Sequence, residues 1–273
     1  MLFLKHSPAA PIAEFVEYLW LLRDAPAHGR ERIFPTGALE LVINLDEDQV
    51  RIYDDAGACR RFSGSVLSGA YGRPFVIDTA EHAFAMGVHF RCGGAFPFTR
   101  GIAPGELACG HADLGMLWGT GAVYVREQLC AAGSHAARFR ILERALLEAL
   151  EKRRVDARML SAAKRLSSGT ERVRDVVAST GFSHRYFVSR FRDTVGMTPK
   201  LFARVQRFQR TLEAFRKPAS SWARLASDCG YYDQAHLIRD FAEFAACTPS
   251  QFVEGRTDCV KDHHWVVPGR EPG

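Results

Sequence analysis

Along the first 110 or so residues, apolar positions come in short runs broken by turn-forming residues. Leu39 to Leu45 is one run, closed by the polar Asp46, Glu47 and Asp48. Arg51 to Tyr53 precedes the turn signal Asp54 to Gly57, and Phe75 to Ile77 is a third run. From Ala83 to Phe90 the pattern alternates, with Phe84, Met86, Val88 and Phe90 on one face and Ala85, Gly87 and His89 on the other. Short runs and alternation bounded by Gly-rich turns predict β-strands, and many of them predict a small barrel or sandwich. After about Thr120 the period changes. Phe139, Leu142, Leu146, Ala149 and Leu150 fall at helical spacing, so Ser134 to Leu150 reads as an amphipathic helix capped by Ser134. Its stripe either packs on its own domain or meets its copy in a second chain, because two-fold pairing needs only one self-complementary patch. The second reading is preferred, by a small margin.

The charged stretch Glu151 to Val155 marks a boundary, beyond which every segment reads as helix. Asp156 caps a helix that stops at Ser168-Gly169, and Thr170 caps the next, which Gly181 breaks. Ser183 opens a helix burying Tyr186, Phe187, the stem of Arg190 and Phe191. Thr198-Pro199 is an N-cap followed by proline at the first helical position, where a missing N–H is harmless. That helix carries Leu201, Phe202, Val205, Phe208, Leu212 and Phe215 until Pro218. Ser221, Asp233 and Thr248 open three more. The expected fold is α+β: a strand-rich barrel or sandwich with trailing helices over 1–151, then an all-α unit over 152–255. Residues 256–273 show no periodicity and are expected to form a flexible tail.

The all-α unit contains an internal repeat. Phe191, Thr198, Pro199 and Phe202 recur 50 residues later as Phe241, Thr248, Pro249 and Phe252, while Gly181 recurs after 49 as Gly230. The extra residue is assigned to the helix after the break. Each copy is a short helix, a Gly turn and a second helix, the helix-turn-helix arrangement whose second helix enters a major groove. A long helix joins the two copies. From Pro199 to Lys217 it spans roughly 28 Å at about 1.5 Å per residue. Turns and helix widths bring the second helices to about one repeat of B-DNA, near 34 Å.

Charge points the same way. The chain has 273 residues and a net charge of +5, but 1–151 hold 14 Lys and Arg against 18 Asp and Glu, whereas 152–273 hold 22 against 13. A basic half suits a polyanion. Hydrophobic residues at 47% and charged residues at 25% exclude a disordered chain. No apolar run is long enough to span a bilayer. Met1 to Pro11 has no apolar core of signal length, so a cytoplasmic protein without membrane contact is expected. Seven cysteines without a C-x-x-C pair read as reduced thiols.

Gly181-Phe182-Ser183 with Phe191, and Ser221 to Ala226, Gly230 to Phe241 and Thr248 to Phe252, resemble the AraC/XylS family of bacterial transcription regulators. Over 1–151, Gly37 to Asn44, Gly87 to Arg91 and Asp113 to Gly119 resemble the regulatory domain of some members. The resemblance implies a sequence-specific regulator that places two recognition helices in successive major-groove segments of promoter or operator DNA. It implies base contacts from Arg185, Val188 and Ser189, and from Gln234, Ala235, Ile238 and Arg239. Arginine can pair bidentately with guanine and glutamine with adenine. Arg192, Lys200, Arg204, Arg207 and Arg210 are the candidates for phosphate contact. Ser189 stands where many members have arginine, and Ala246 where glycine is usual. A small-molecule effector, a homodimer and the transcription machinery complete the expected partners.

Other chemistry is weakly supported. His82 and His89 sit at odd separation, so on one strand they face opposite ways, and no metal or cofactor is expected. Gly64 to Gly69 and Gly119 to Gly121 match no nucleophile or dinucleotide motif, and no catalytic residue is assigned. Trp20, Trp118 and Phe96 to Phe98 read as core, with a small-molecule pocket as the other reading. The alternative function is a metal-binding or catalytic barrel fused to a DNA-binding module.

Overall fold

A computed structural model describes residues 1–24, 30–54, 57–79, 83–151, 155–169, 171–215, 221–255 and 264–266. His82, Thr170, Pro218, the middle of the 151–155 boundary and the rest of the C-terminal segment lie outside them.

The N-terminal half is a sandwich of two antiparallel sheets. The first has the order β1 (Leu2–His6), β2 (Val16–Arg23), β9 (Phe84–Phe90), β4 (Glu40–Asn44), β7 (Ser65–Ser68) and β10 (His111–Asp113). The second runs β11 (His264–Val266), β3 (Arg30–Ile33), β8 (Phe75–Asp78), β5 (Gln49–Tyr53) and β6 (Cys59–Ser63). The runs at 39–45, 51–53, 75–77 and 83–90 are thus strands, as their patterns predict. One expectation changes. Within the segment expected to be a flexible tail, residues 264–266 form β11, paired to β3 with Trp265 opposite Arg32.

Alternation places two different environments on the two faces of the first sheet. Leu19, Leu21, Leu41, Ile43, Met86 and Val88 are buried in one core with the helices that follow. Those helices are α1 (Leu114–Trp118), α2 (Thr120–Ala131) and α3 (His135–Ala149). Ser134 caps α3 by accepting from the Ala137 N–H. The stripe Phe139, Leu142 and Leu146 is buried in this chain's own core. It is not a surface for a second copy, because it is already covered within this chain, where α3 packs on α2 and on the short turns at Ile12–Glu14 and Phe96–Phe98.

The opposite face of that sheet looks across to the second sheet, and the space between them is not filled. Trp20 and Gly87 are register partners on β2 and β9, and a Cβ at Gly87 would lie 2.4 Å from the Trp20 ring. The indole therefore lies flat on bare backbone. Above it is a partly open cavity between the sheets. Trp20 lines this cavity, whereas Trp118 is buried and donates to the Phe98 carbonyl at 2.9 Å.

The C-terminal half is helical: α4 (Ala157–Ser168), α5 (Val173–Ser179), α6 (His184–Val195), α7 (Pro199–Ala214), α8 (Trp222–Asp228), α9 (Gln234–Ala245) and α10 (Pro249–Glu254). Asp156, Ser183, Thr198, Ser221, Asp233 and Thr248 each cap the helix expected of them. At Thr248 the reciprocal bond from Gln251 completes a capping box. Arg172, rather than Thr170, precedes α5, without a side-chain cap.

The two halves share one continuous core. Phe34, at the end of β3, packs its ring 5.8 Å from Phe208 on α7 and 5.9 Å from Phe252 on α10. Gln206 and Gln209 of α7 donate to the carbonyls of Thr36 (2.7 Å) and Pro35 (2.6 Å). The approach is close because Gly37 sits beside α7 at φ +81°, where any Cβ would meet the Gln206 amide at 2.6 Å.

Candidate functional site

The repeat becomes two helix pairs of matching lengths, α5 with α6 and α8 with α9. The short helices have 7 residues each and the second helices 12 each. Gly181 and Gly230 make the turns at φ +73° and +82°. The extra residue of the second copy lies in the turn and not in the helix. Two residues lead from Gly181 to the cap Ser183, and three lead from Gly230 to the cap Asp233. Tyr231 is buried there, and Tyr232 is 94% exposed. Helices α6 and α9 therefore align throughout at a spacing of 50.

Each second helix buries one face and exposes the other. In α6, Phe187, Phe191, Thr194 and Val195 are buried; in α9, Leu237, Asp240, Phe241, Phe244 and Ala245 are. Tyr186, expected to be buried, is instead about half exposed. On the outer face, Arg185 and Ser189 are exposed and Val188 is half-buried, while Gln234, Ala235, Ile238 and Arg239 are all exposed. Their alignment is position for position: Arg185 with Ala235, Val188 with Ile238, Ser189 with Arg239. Among these positions each copy thus has one arginine, in the first turn of α6 and one turn further along α9. Among the described residues, no ion pair or hydrogen bond engages the side chains of Arg185, Gln234 or Arg239.

The five candidates for phosphate contact divide into two groups. Arg192 and Lys200 are exposed. The other three hold the domain together. Arg204 on α7 donates to Asp240 at 2.7 Å and to Glu243 on α9, and lies over the Phe244 ring. These bonds, to Glu243 above all, raise its affinity for its proton. Arg207 lies 3.3 Å from His236 and over Tyr231. Arg210 donates to the Ser167 carbonyl at 2.9 Å, and its burial disfavours the charge. Sequence spacing could not reveal this, because each partner comes from another helix.

The cavity holds the groups that sequence reasoning missed. Glu31, Glu40, Tyr71, Thr79 and His264 line it. His264 Nδ1 lies 2.7 Å from Glu31 Oε2. Glu40 faces His89, which stacks on Tyr18 at 4.9 Å between ring centres. Among the described residues, no cluster of three His, Cys, Asp or Glu side chains has the arrangement to hold a metal ion.

Residues 176–255 match a family model described as a helix-turn-helix domain, and residues 4–112 match a domain of unknown function, DUF6597. No curated protein matches the sequence. Among solved structures, an apo form of ToxT from Vibrio cholerae strain SCE256 is similar at a TM-score of 0.47 and 8% identity. That match covers 86% of this chain and 97% of the other. An unsaturated fatty acid-bound wild-type ToxT from the same strain gives 0.45 and 9%, covering 92% and 94%.

Proposed function

We propose, on the premise that this chain is a DNA-binding transcriptional regulator whose residues 176–255 form an AraC-type helix-turn-helix domain, that α6 and α9 read successive major-groove segments of one duplex. The observation that carries this reading is the pair of aligned, outward, unengaged faces. Arg185, Val188 and Ser189 make the base contacts of the first copy, and Gln234, Ala235, Ile238 and Arg239 those of the second. The connecting helix α7 has 16 residues, which is about 24 Å at about 1.5 Å per residue. Arg192 and Lys200 supply phosphate contacts, while Arg204, Arg207 and Arg210 keep α7 fixed to its neighbours.

In this reading 152–255 is the DNA-binding unit and 1–151 a sensing unit whose cavity takes a small effector. The chain binds promoter or operator DNA, works with the transcription machinery in the cytoplasm and catalyses no reaction. A homodimer belongs to the same reading, and the exposed Met116, Val123 and Tyr124 on α1 and α2 offer apolar surface for it. No helix among the described residues is long and apolar enough to cross a membrane.

Selection of duplexes from a random pool by the full chain tests the reading. The expected product is a site with two specified segments about one helical repeat apart, and affinity that falls steeply with salt as phosphate counterions are released. Recovery of unselected sequence, with the chain folded, would refute it.

A further inference from the structure

The outer face of an amphipathic helix is ordinarily polar. Each second helix of this chain breaks that pattern with a β-branched aliphatic side chain, Val188 on α6 and Ile238 on α9. The two stand at the same place in the repeat, 50 residues apart. Neither belongs to the core. The inner faces supply Phe187 and Phe191 in one copy and Leu237, Phe241 and Phe244 in the other, all fully buried. Among the described residues, Val188 is half-buried without being one of the apolar side chains that pack against the core. Ile238 is 37% exposed.

Their neighbours on the outer face do not repeat. Arg185 matches Ala235, and Ser189 matches Arg239. Of these three aligned pairs, only the aliphatic one keeps its chemistry in both copies. An aliphatic side chain has no donor or acceptor, so it cannot read the hydrogen-bonding edge of a base. The apolar group that a base pair offers in the major groove is the C5 methyl of thymine. Branching at Cβ also leaves valine and isoleucine essentially one χ1 rotamer in a helix, so little side-chain freedom is lost when a methyl packs against them.

We propose that Val188 and Ile238 each pack against the C5 methyl of a thymine, so that the bound duplex has one such thymine in each half-site. The two thymines then occupy matching places about one helical repeat, roughly 10–10.5 base pairs, apart. Arg185 lies three residues before Val188, whereas Arg239 directly follows Ile238. A guanine read by arginine therefore falls differently about each thymine. The half-sites are alike at the methyl and unlike beside it. This inference rests on the reading of α6 and α9 as recognition helices and names what they recognise.

The test starts from the site that the full chain selects out of random duplex. Each thymine is replaced singly by uracil, which keeps every hydrogen-bonding group and lacks only the methyl. One thymine in each segment should be sensitive, with affinity reduced about fourfold, the worth of one buried methyl-sized group. Ile238→Ala should bring this thymine–uracil difference below about twofold in one segment and preserve it in the other. Val188→Ala should do the reverse, and Ile238→Val should retain both differences. The preserved segment shows that each alanine variant is folded. The proposal is overturned if a selected segment has no methyl-sensitive thymine, or if both differences survive in either alanine variant. A chain that selects no sequence defeats the reading of α6 and α9, and this proposal with it. A chain that selects two segments whose thymine methyls have no effect defeats only the proposal.

Discussion

The guanidinium of Arg204 holds the carboxylate of Asp240 at 2.7 Å, and the Asp240 side chain is only 5% exposed. The connecting helix is thereby fastened to the inner face of the second recognition helix, so α7 fixes where α9 can point.

Arg204→Ala should therefore act on stability more than on DNA affinity. It leaves a buried carboxylate short of its main partner, which costs on the order of 2 kcal/mol. Arg204→Lys should recover only part, because an ammonium cannot fork between Asp240 and Glu243. Urea unfolding measures the loss, and the salt dependence of duplex binding should stay unchanged. An unshifted unfolding midpoint with a flatter salt slope would make Arg204 a phosphate ligand after all.

Arg185→Ala and Arg239→Ala should each relax preference at a separate base pair, by about 1–3 kcal/mol. Lys200→Ala should weaken all sequences alike and lower the salt slope by about one unit. Competition binding against a panel of single-base variants separates the two behaviours. If Arg239→Ala leaves the panel unchanged, α9 does not read bases through this residue.

Ala246 ends α9 in the left-handed region at φ +51°, where its counterpart at the end of α6 is Gly196. Left-handed backbone strains any residue with a Cβ, and glycine's greater freedom in the unfolded chain offsets part of the relief. Ala246→Gly should thus stabilise the protein by about 1 kcal/mol or less. A rise in the thermal midpoint would show it. A fall would mean that the alanine methyl contributes packing that exceeds the strain.

Acid should destabilise the fold through His111. Burial lowers its pKa from 6.5 to about 3, with Arg60 adding to the effect. Between those values the unfolded chain binds a proton that the folded chain does not, so stability is full above about pH 6.5 and declines as pH falls. The decline approaches about 1.4 kcal/mol per pH unit. Denaturation midpoints measured from pH 7 to pH 4 should show a shallower fall in His111→Gln, whose amide can keep the bond to Ser68. Equal slopes would assign the acid sensitivity to another group.

What was legible in the sequence was what is decided locally. A cap is set by one side chain and the N–H two or three residues on, so Ser183, Thr198, Ser221 and Thr248 could be read directly. The outer faces of α6 and α9 followed from their apolar inner faces and from the repeat. Other differences concern distant partners. Arg204 meets Asp240 across 36 residues, and a basic residue on a helix looks the same in sequence whether it faces phosphate or carboxylate. The stripe on α3 gave its period but not what covers it. For β9 the alternation separated two faces correctly, yet nothing in it said that Ala85 and Gly87 would floor an open space. Three residues of β11 are too few to carry any periodicity.

That short strand bears on how the molecule is made. Strand β3 has one edge on β8 and the other on β11, so until residues 264–266 have been synthesised that edge has no partner. An unpaired edge on a growing chain is a template for pairing with other chains. The N-terminal sandwich cannot be finished in the order in which it is translated. It waits, with one cavity wall missing, until both helix-turn-helix units have emerged.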